Sequence, residues 1–185
     1  LERMDSVSLQ SRFSATKGWN ALLKAPAIHV GTNQIDNLVL NAQADKSVLK
    51  INGFAEQVNS GSNIELHNTT INAGIRNNKI DFGIITKDRE DKTRYTLAGL
   101  FEHLQEGKYR FSLNPDSLLL NYAKWSLPAD NKLEIGEKNI FVNNFILSKE
   151  RQELKIQSTG EDANAPVEIS FNDFKLKTLT GFIQP

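Results

Sequence analysis

The sequence predicts an all-β protein: an elongated antiparallel meander curled into an open groove with an apolar interior. Three observations predict it. Apolar and polar residues alternate with period two along most of the chain. Turn-forming Asn, Asp and Gly clusters separate these runs about every 10–15 residues. No stretch has the long 3.6-residue periodicity of a helix that would cover a sheet.

The runs follow in order. Leu38, Leu40, Ala42 and Ala44 alternate with Val39, Asn41, Gln43 and Asp45. Leu49, Ile51, Gly53 and Ala55 alternate with Lys50, Asn52, Phe54 and Glu56. Ile80, Phe82 and Ile84 make the next run, then Tyr95, Leu97, Gly99 and Phe101, then Tyr109, Phe111 and Leu113. Shorter runs are Leu133 and Ile135, Ile140 and Val142, Leu154 and Ile156, and Val167, Ile169 and Phe171. Successive side chains on a strand point to opposite faces, so each run lays an apolar row on one face and a polar row on the other. These criteria give roughly a dozen strands. Short connections such as Arg76 to Lys79 and Asp88 to Lys92 make consecutive strands antiparallel neighbours. With no covering helix, the apolar face must curl on itself, pair with a second sheet, or hold an apolar ligand.

Two segments are candidates for short helices. Asn114-Pro115-Asp116-Ser117 precedes Leu118 to Tyr122 with a capping residue and a Pro in the first turn. The stretch Thr16 to Lys24 is the second. Leu118 and Leu120 also fit a strand. A loose repeat is visible as well: Ile35-Asp36-Asn37-Leu38-Val39-Leu40, a turn and an alternating strand are echoed by Ile140 to Leu147, a turn and Leu154 to Ser158. Such a pattern suits stacked β units that lack a complete core alone.

Composition narrows the function classes. The 185 residues carry 22 basic and 22 acidic side chains, three His and no Cys. A balanced charge argues against nucleic-acid binding, which needs a basic excess. No Cys means no disulfide, thiolate metal site or cysteine nucleophile. No run reaches the ~20 apolar residues of a transmembrane helix, and the start has no signal-peptide pattern. Its first residue is Leu rather than Met, so the chain is expected to be a single segment, 1–185, of a longer repetitive protein.

Catalytic and metal motifs are missing. His29, His67 and His103 have no ligand spacing and read as surface or ladder residues. There is no G-x-S-x-G, H-E-x-x-H, P-loop or G-x-G-x-x-G motif. Asp88-Arg89-Glu90-Asp91-Lys92 fails the calcium-loop pattern and reads as a solvated hairpin tip. Asn68-Thr69-Thr70 matches a glycosylation sequon that is common by chance. Trp19, Trp125, Tyr109, Tyr122 and Phe111 are read as core or groove-capping residues ahead of sugar-stacking ones. No enzyme, cofactor or metal is expected.

Residues 105–182 carry a family likeness. Tyr109 to Leu118 is a strand ending near Pro-Asp; a lone Trp125 and the Pro128-Ala129-Asp130-Asn131 turn follow. Then come Ile140-Phe141-Val142-Asn143-Asn144-Phe145-Ile146-Leu147-Ser148 and Val167 to Leu176, with its Phe171-x-x-Phe174-x-Leu176. In this order they resemble the TamB family, notably its Bacteroidetes-type members. The resemblance implies a U-shaped β-taco within a long periplasmic protein anchored in the inner membrane of a diderm bacterium. It further implies an Omp85-family outer-membrane barrel as partner, membrane contact through other parts of the parent protein, and roles in outer-membrane protein assembly and phospholipid movement between the membranes. The family has no catalytic residues to carry over.

The expected acyl-chain lining is Leu38, Leu40, Leu49, Ile51, Ile80, Phe82, Ile84, Leu97, Phe101, Phe111, Leu113, Ile140, Val142, Leu154, Ile156, Val167, Ile169 and Phe171. Two other functions remain open: a chaperone-like module that pairs with outer-membrane strands by β-augmentation, and a closed β-sandwich serving as an adhesin or carbohydrate-binding module.

Overall fold

The computed structural model describes residues 3–174, apart from 17, 46, 62, 63, 106, 138 and 162–164; for 3–5 it describes the backbone alone. The expected Phe171-x-x-Phe174-x-Leu176 pattern therefore ends outside the described residues, as do Asp162 and parts of the turns at Lys46, Ser62-Asn63, Glu106 and Lys138. The strands are β1 (Arg3–Asp5), β2 (Ser8–Ser14), β3 (Gly18–Val30), β4 (Asn33–Ala44), β5 (Leu49–Ser60), β6 (Ile64–Arg76), β7 (Lys79–Lys87), β8 (Thr93–His103) and β9 (Tyr109–Leu113). They continue with β10 (Leu119–Leu120), β11 (Ala123–Lys124), β12 (Lys132–Ile135), β13 (Ile140–Asn143), β14 (Phe145–Lys149), β15 (Gln152–Ser158) and β16 (Val167–Asn172). From β3 to β9 each strand pairs antiparallel with the next, and β12 and β13 extend the same sheet. It is an all-β antiparallel meander, open rather than closed into a barrel.

Local chemistry makes the hairpins. Asn77 and Asn78, both with positive φ (45° and 62°), form the two-residue turn between β6 and β7, the conformation whose twist matches the strands it joins. Before β5, Asp45 Oδ1 accepts from the amides of Ser47 (2.8 Å) and Val48 (2.9 Å). Those amide bonds hold the Asp45 carboxyl below its ordinary pKa.

Register then gathers the apolar side chains. One row across the sheet runs Leu9, Leu23, Leu40, Gly53, Ile71, Ile84, Leu97. The next runs Ala21, Ala42, Ile51, Ala73, Phe82, Gly99, Leu113. A third runs Phe13, Trp19, Ala44, Leu49, Ile75, Ile80, Phe101, Phe111, Leu133, Val142. Directly opposed residues share a face, so these rows make one apolar surface. On the other face stand an Asn41-Asn52-Asn72 ladder and the ion pairs of Glu102 with Lys79 (2.7 Å) and of Glu134 with Arg110 (2.9 Å). Two glycines on the apolar face make room for neighbours. A Cβ on Gly99 would lie 2.3 Å from the Ser112 carbonyl oxygen and 2.9 Å from Phe82, and one on Gly53 2.8 Å from Leu40.

A transverse crease crosses this sheet. Ser6, Asn37 and Asn68 have φ of 39°, 49° and 43°. The registers put Ser6 opposite Pro26, Pro26 opposite Asn37, Asn37 opposite Glu56 and Glu56 opposite Asn68. A left-handed residue turns the chain out of its extended path, and the ladder skips a pair there. Pro26 has no N–H to lose at such a gap. Asn37 Nδ2 donates to Glu56 Oε2 across it. Farther along, the β6–β7 ladder is irregular between His67 and Thr70, and the β7–β8 ladder between Thr86 and Lys87. On the apolar side next to the crease, Ala25, Ala55, Thr69 and Thr86 are 1%, 6%, 6% and 2% exposed. Their burial identifies the concave side of the bend, where both flanks cover a small side chain. Thr69 and Thr86 hydroxyls meet at 3.3 Å in this corner.

The sheet divides at β8. Gly99–His103 pairs with β9, while Thr96 pairs with Leu119 of β10. From the β10–β11 hairpin a Ser126–Ser148 bridge leads to the second sheet, β14-β15-β16. The branches meet again where the Val142 amide donates to Ser158 Oγ at 3.0 Å. Between them Leu113, Leu118, Trp125 and Leu127 form a buried cluster. Asn131 anchors it: its side chain accepts from the Leu113 amide and donates to the Leu113 carbonyl, both at 2.8 Å. Asn144, with φ 49°, lets the chain cross from β13 into β14.

Both candidate helices are corrected. The 115–122 segment has one 3-10 turn, Pro115–Ser117, whose cap Asn114 accepts from the Asp116 amide at 3.1 Å. Leu119–Leu120 is then drawn into pairing along the part of β8 that β9 leaves unpaired. The 16–24 stretch turns at Gly18 and enters β3, whose ladders to β2 and β4 on both sides override weak helical tendency. The strands outnumber the expected dozen partly because left-handed residues break long ones, separating β1 from β2 at Ser6 and β13 from β14 at Asn144.

Candidate functional site

The apolar face is the most extensive candidate site. Leu38, Leu40, Leu49, Ile51, Ile80, Phe82, Ile84, Leu97, Phe101 and Phe111 share it and are half-buried. Leu113 (8% exposed) and Val142 (3%) lie on the same face under the Trp125 end, and Ile140 is exposed. The remaining expected residues occupy the second sheet: Leu154 opposes Phe171, Ile156 opposes Ile169, and Val167 opposes Ser158. Leu154 and Ile156 are half-buried; Val167, Ile169 and Phe171 are exposed. The expected lining therefore belongs to two surfaces.

Sequence reasoning missed part of the first surface. Leu23, Ile71, Ala73 and Ile75 stand in its rows, and their own period-two alternation in β3 and β6 was the available signal. The end cover was read only in part: Trp125 was expected as a core or groove-capping residue and is 2% exposed in the buried cluster, while Leu118 and Leu127 were not expected there. Trp125, Leu118 and Leu127 come from a segment with irregular spacing, and Phe82, Leu97 and Phe111 pack against them. Phe82 and Phe111 stack at 5.8 Å. The apolar face is thus covered by its own chain toward β9 and partly exposed across β4 to β7.

A polar cluster stands at the side of this face. Glu65, His67, Asp88, Arg89, Glu90, Arg94 and Tyr122 line an open cavity of about 530 Å³. Arg89 Nη2 donates to Glu65 Oε1 at 2.6 Å, and this bond lowers the Glu65 pKa. Tyr122 Oη donates to Asp88 Oδ2 at 2.6 Å. That bond, with the amides of Lys92 and Glu90, holds the Asp88 carboxyl below its usual range, and the same carboxylate raises Tyr122. The Arg94 guanidinium lies 5.2 Å from the Tyr95 ring, and Tyr95 opposes Thr86 in the buried corner. The 88–92 turn is therefore more than the solvated tip the sequence suggests: Asp88 ties it to the Asn121-Tyr122 turn.

His29, His67 and His103 stand on three different strands, and no group suited to a metal ion occurs among the described residues. Trp19 lies on the apolar face and donates to Ser11 Oγ at 2.9 Å. Among the described residues no helix is long and apolar enough to cross a membrane. In comparisons with known proteins, no family model, no curated protein and no solved structure matches this chain.

Proposed function

We propose that this chain is a groove segment of a periplasmic TamB-like envelope protein, and that its apolar face carries phospholipid acyl chains between the inner and outer membranes in support of outer-membrane assembly. One observation carries the reading. Leu40, Leu49, Ile51, Ile75, Ile80, Phe82 and Ile84 stand in cross-strand rows with small residues between them and remain half-buried over β4 to β7, with Ile71 41% exposed, where an ordinary domain closes its core.

The physical mechanism is passive. Each acyl methylene removed from water contributes about 0.8 kcal/mol. Strands spaced ~4.8 Å apart offer similar contacts at every step along a row, so a chain moves along it without a deep trap. The polar faces and turns keep a headgroup in water. The Trp125 cluster bounds the open stretch at one end, so transfer uses the face from β3 to β7.

Photoreactive phospholipid tests this. Ile51→Asp puts a charge in the middle of the open rows, while Asn52→Asp changes the polar face of the same strand. Crosslinking is expected to collapse in the first and persist in the second. Equal crosslinking in both, with folding intact, removes the assignment.

A further inference from the structure

The inside of the bend is not apolar throughout. β5 has no left-handed residue, so its alternation carries through the crease: Leu49, Ile51, Gly53 and Ala55 are followed on the same side by Gln57 and Asn59. Register sets Asp36 and His67 beside Gln57, and Gln34 and Glu65 beside Asn59. These side chains are half-buried and bonded to one another. Gln34 Nε2 donates to Asp36 Oδ2 at 2.7 Å, and Gln57 Nε2 to Glu65 Oε1 at 3.2 Å. A polar wall therefore meets the apolar rows at the corner of Ala55, Thr69 and Thr86.

The wall ends in the open cavity that Glu65 and His67 share with the 88–92 turn, Arg94 and Tyr122. Its charges are of both signs. Arg89 donates from Nη2 to Glu65 and from Nε to His67. Among the described residues, Arg89 Nη1, Glu65 Oε2 and the Glu90 carboxylate have no partner. Arg94 lies against Tyr95, which opposes Thr86 at the corner, so the cavity is next to the apolar rows. Arg89 and Tyr122 hold the Glu65 and Asp88 carboxyls below their ordinary range, so both are ionised at neutral pH. Guanidinium groups match phosphate oxygens, and carboxylates match the three donors of a primary ammonium. A ligand with negative charge alone would face Glu65, Asp88 and Glu90.

We propose that this cavity receives the phosphate and ammonium of a zwitterionic phospholipid headgroup while the acyl chains lie on the rows across the corner. The inference rests on the acyl-chain reading and names the lipid class. Arg89 and Arg94 take the phosphate; Glu65 and Glu90 take the ammonium.

The probes are phosphatidylethanolamine and phosphatidylglycerol with identical photoreactive acyl chains, in equal amounts in one vesicle. Capture is expected to favour the ethanolamine lipid about three- to fivefold, the size of one exposed ion pair. Glu65→Gln with Glu90→Gln should bring the ratio to about one. Asp81→Asn with Glu137→Gln removes the same charge from exposed sites outside the cavity and should keep the preference. The ratio is read within one sample, so a partly unfolded variant lowers the total without changing it. Equal capture by the parent, an unchanged ratio in the cavity variant, or the same fall in the distant variant overturns the headgroup assignment and leaves the acyl rows standing. No capture of either lipid removes the acyl-chain reading and this inference with it. Glycerophosphoethanolamine, the same headgroup without acyl chains, separates the sources. It should compete only at about 1 mM or above; competition as tight as the lipid's own binding overturns the proposal by assigning the cavity to a soluble phosphoamine.

Discussion

Asn37 and Asn68 stand in one transverse row, two strands apart, each in the left-handed region with φ of 49° and 43° and separated by Glu56. This pairing places the bend of the sheet and the buried corner beside it. It also explains why small residues, Ala25, Ala55, Thr69 and Thr86, line the inside of the turn.

Asn tolerates this conformation better than a β-branched residue does. Asn68→Val should cost about 1–2 kcal/mol more than Asn68→Gly. Urea unfolding of the two variants measures the difference; equal stabilities would mean that the left-handed geometry is unimportant at this position.

Two strand glycines should respond in opposite directions. Gly99→Ala drives a Cβ into the Ser112 carbonyl and Phe82, an overpacking that costs about 1–3 kcal/mol. Gly74 has open space around its Cβ position and no positive φ, so Gly74→Ala should be neutral or stabilise by about 0.5 kcal/mol through the unfolded chain. Thermal unfolding of both separates crowding from a general dislike of Cβ in these strands.

Asn131 is 2% exposed and satisfies both backbone groups of Leu113. Asn131→Ala leaves them without that partner, at about 1–3 kcal/mol for each buried group. The loss should loosen the Trp125 end first. In a Trp19→Phe background, Trp125 emission should shift red at lower urea than loss of the β-sheet signal. Coincident transitions would show that Asn131 supports the whole fold equally.

The Asp88–Tyr122 bond predicts a pH dependence with two limbs. Asp88 has a pKa below the ordinary 3.8, so its contribution is present above that value and lost as pH falls through the lower folded value. Tyr122 is raised above 10.0, so its contribution is present below that value and lost as pH rises through the higher folded one. Tyr122→Phe should flatten the alkaline limb and weaken the acid one, where Glu65 and Asp45 also contribute. Stability against pH for both proteins checks this; an unchanged alkaline limb would show that the bond does not form in solution.

How much was legible in the sequence differs between the two halves of the molecule. From β4 to β9 the alternation names both strand and face, because a pleat has a strict period of two and neighbouring hairpins preserve it. Leu40, Ile51, Ile84 and Leu97 were therefore found by sequence and stand on one face in the structure. The repeat linking the Ile35 segment with Ile140–Leu147 was legible too, and the Asn that follows Asp36 and Asn143, at 37 and 144, is left-handed in both places. Val167, Ile169 and Phe171 alternate just as well yet lie on another sheet, since periodicity carries no information on which sheet a strand joins.

By itself, then, the order of residues determined strand, turn and which side chains share a pleat, all of them consequences of local backbone geometry. Only the tertiary structure decided the crease, the division at β8 and the Trp125 cover. Those depend on which strands stand opposite one another, and on a buried Asn131 reaching Leu113 from a distant turn. Such contacts form between residues far apart in the chain, where no local spacing records them.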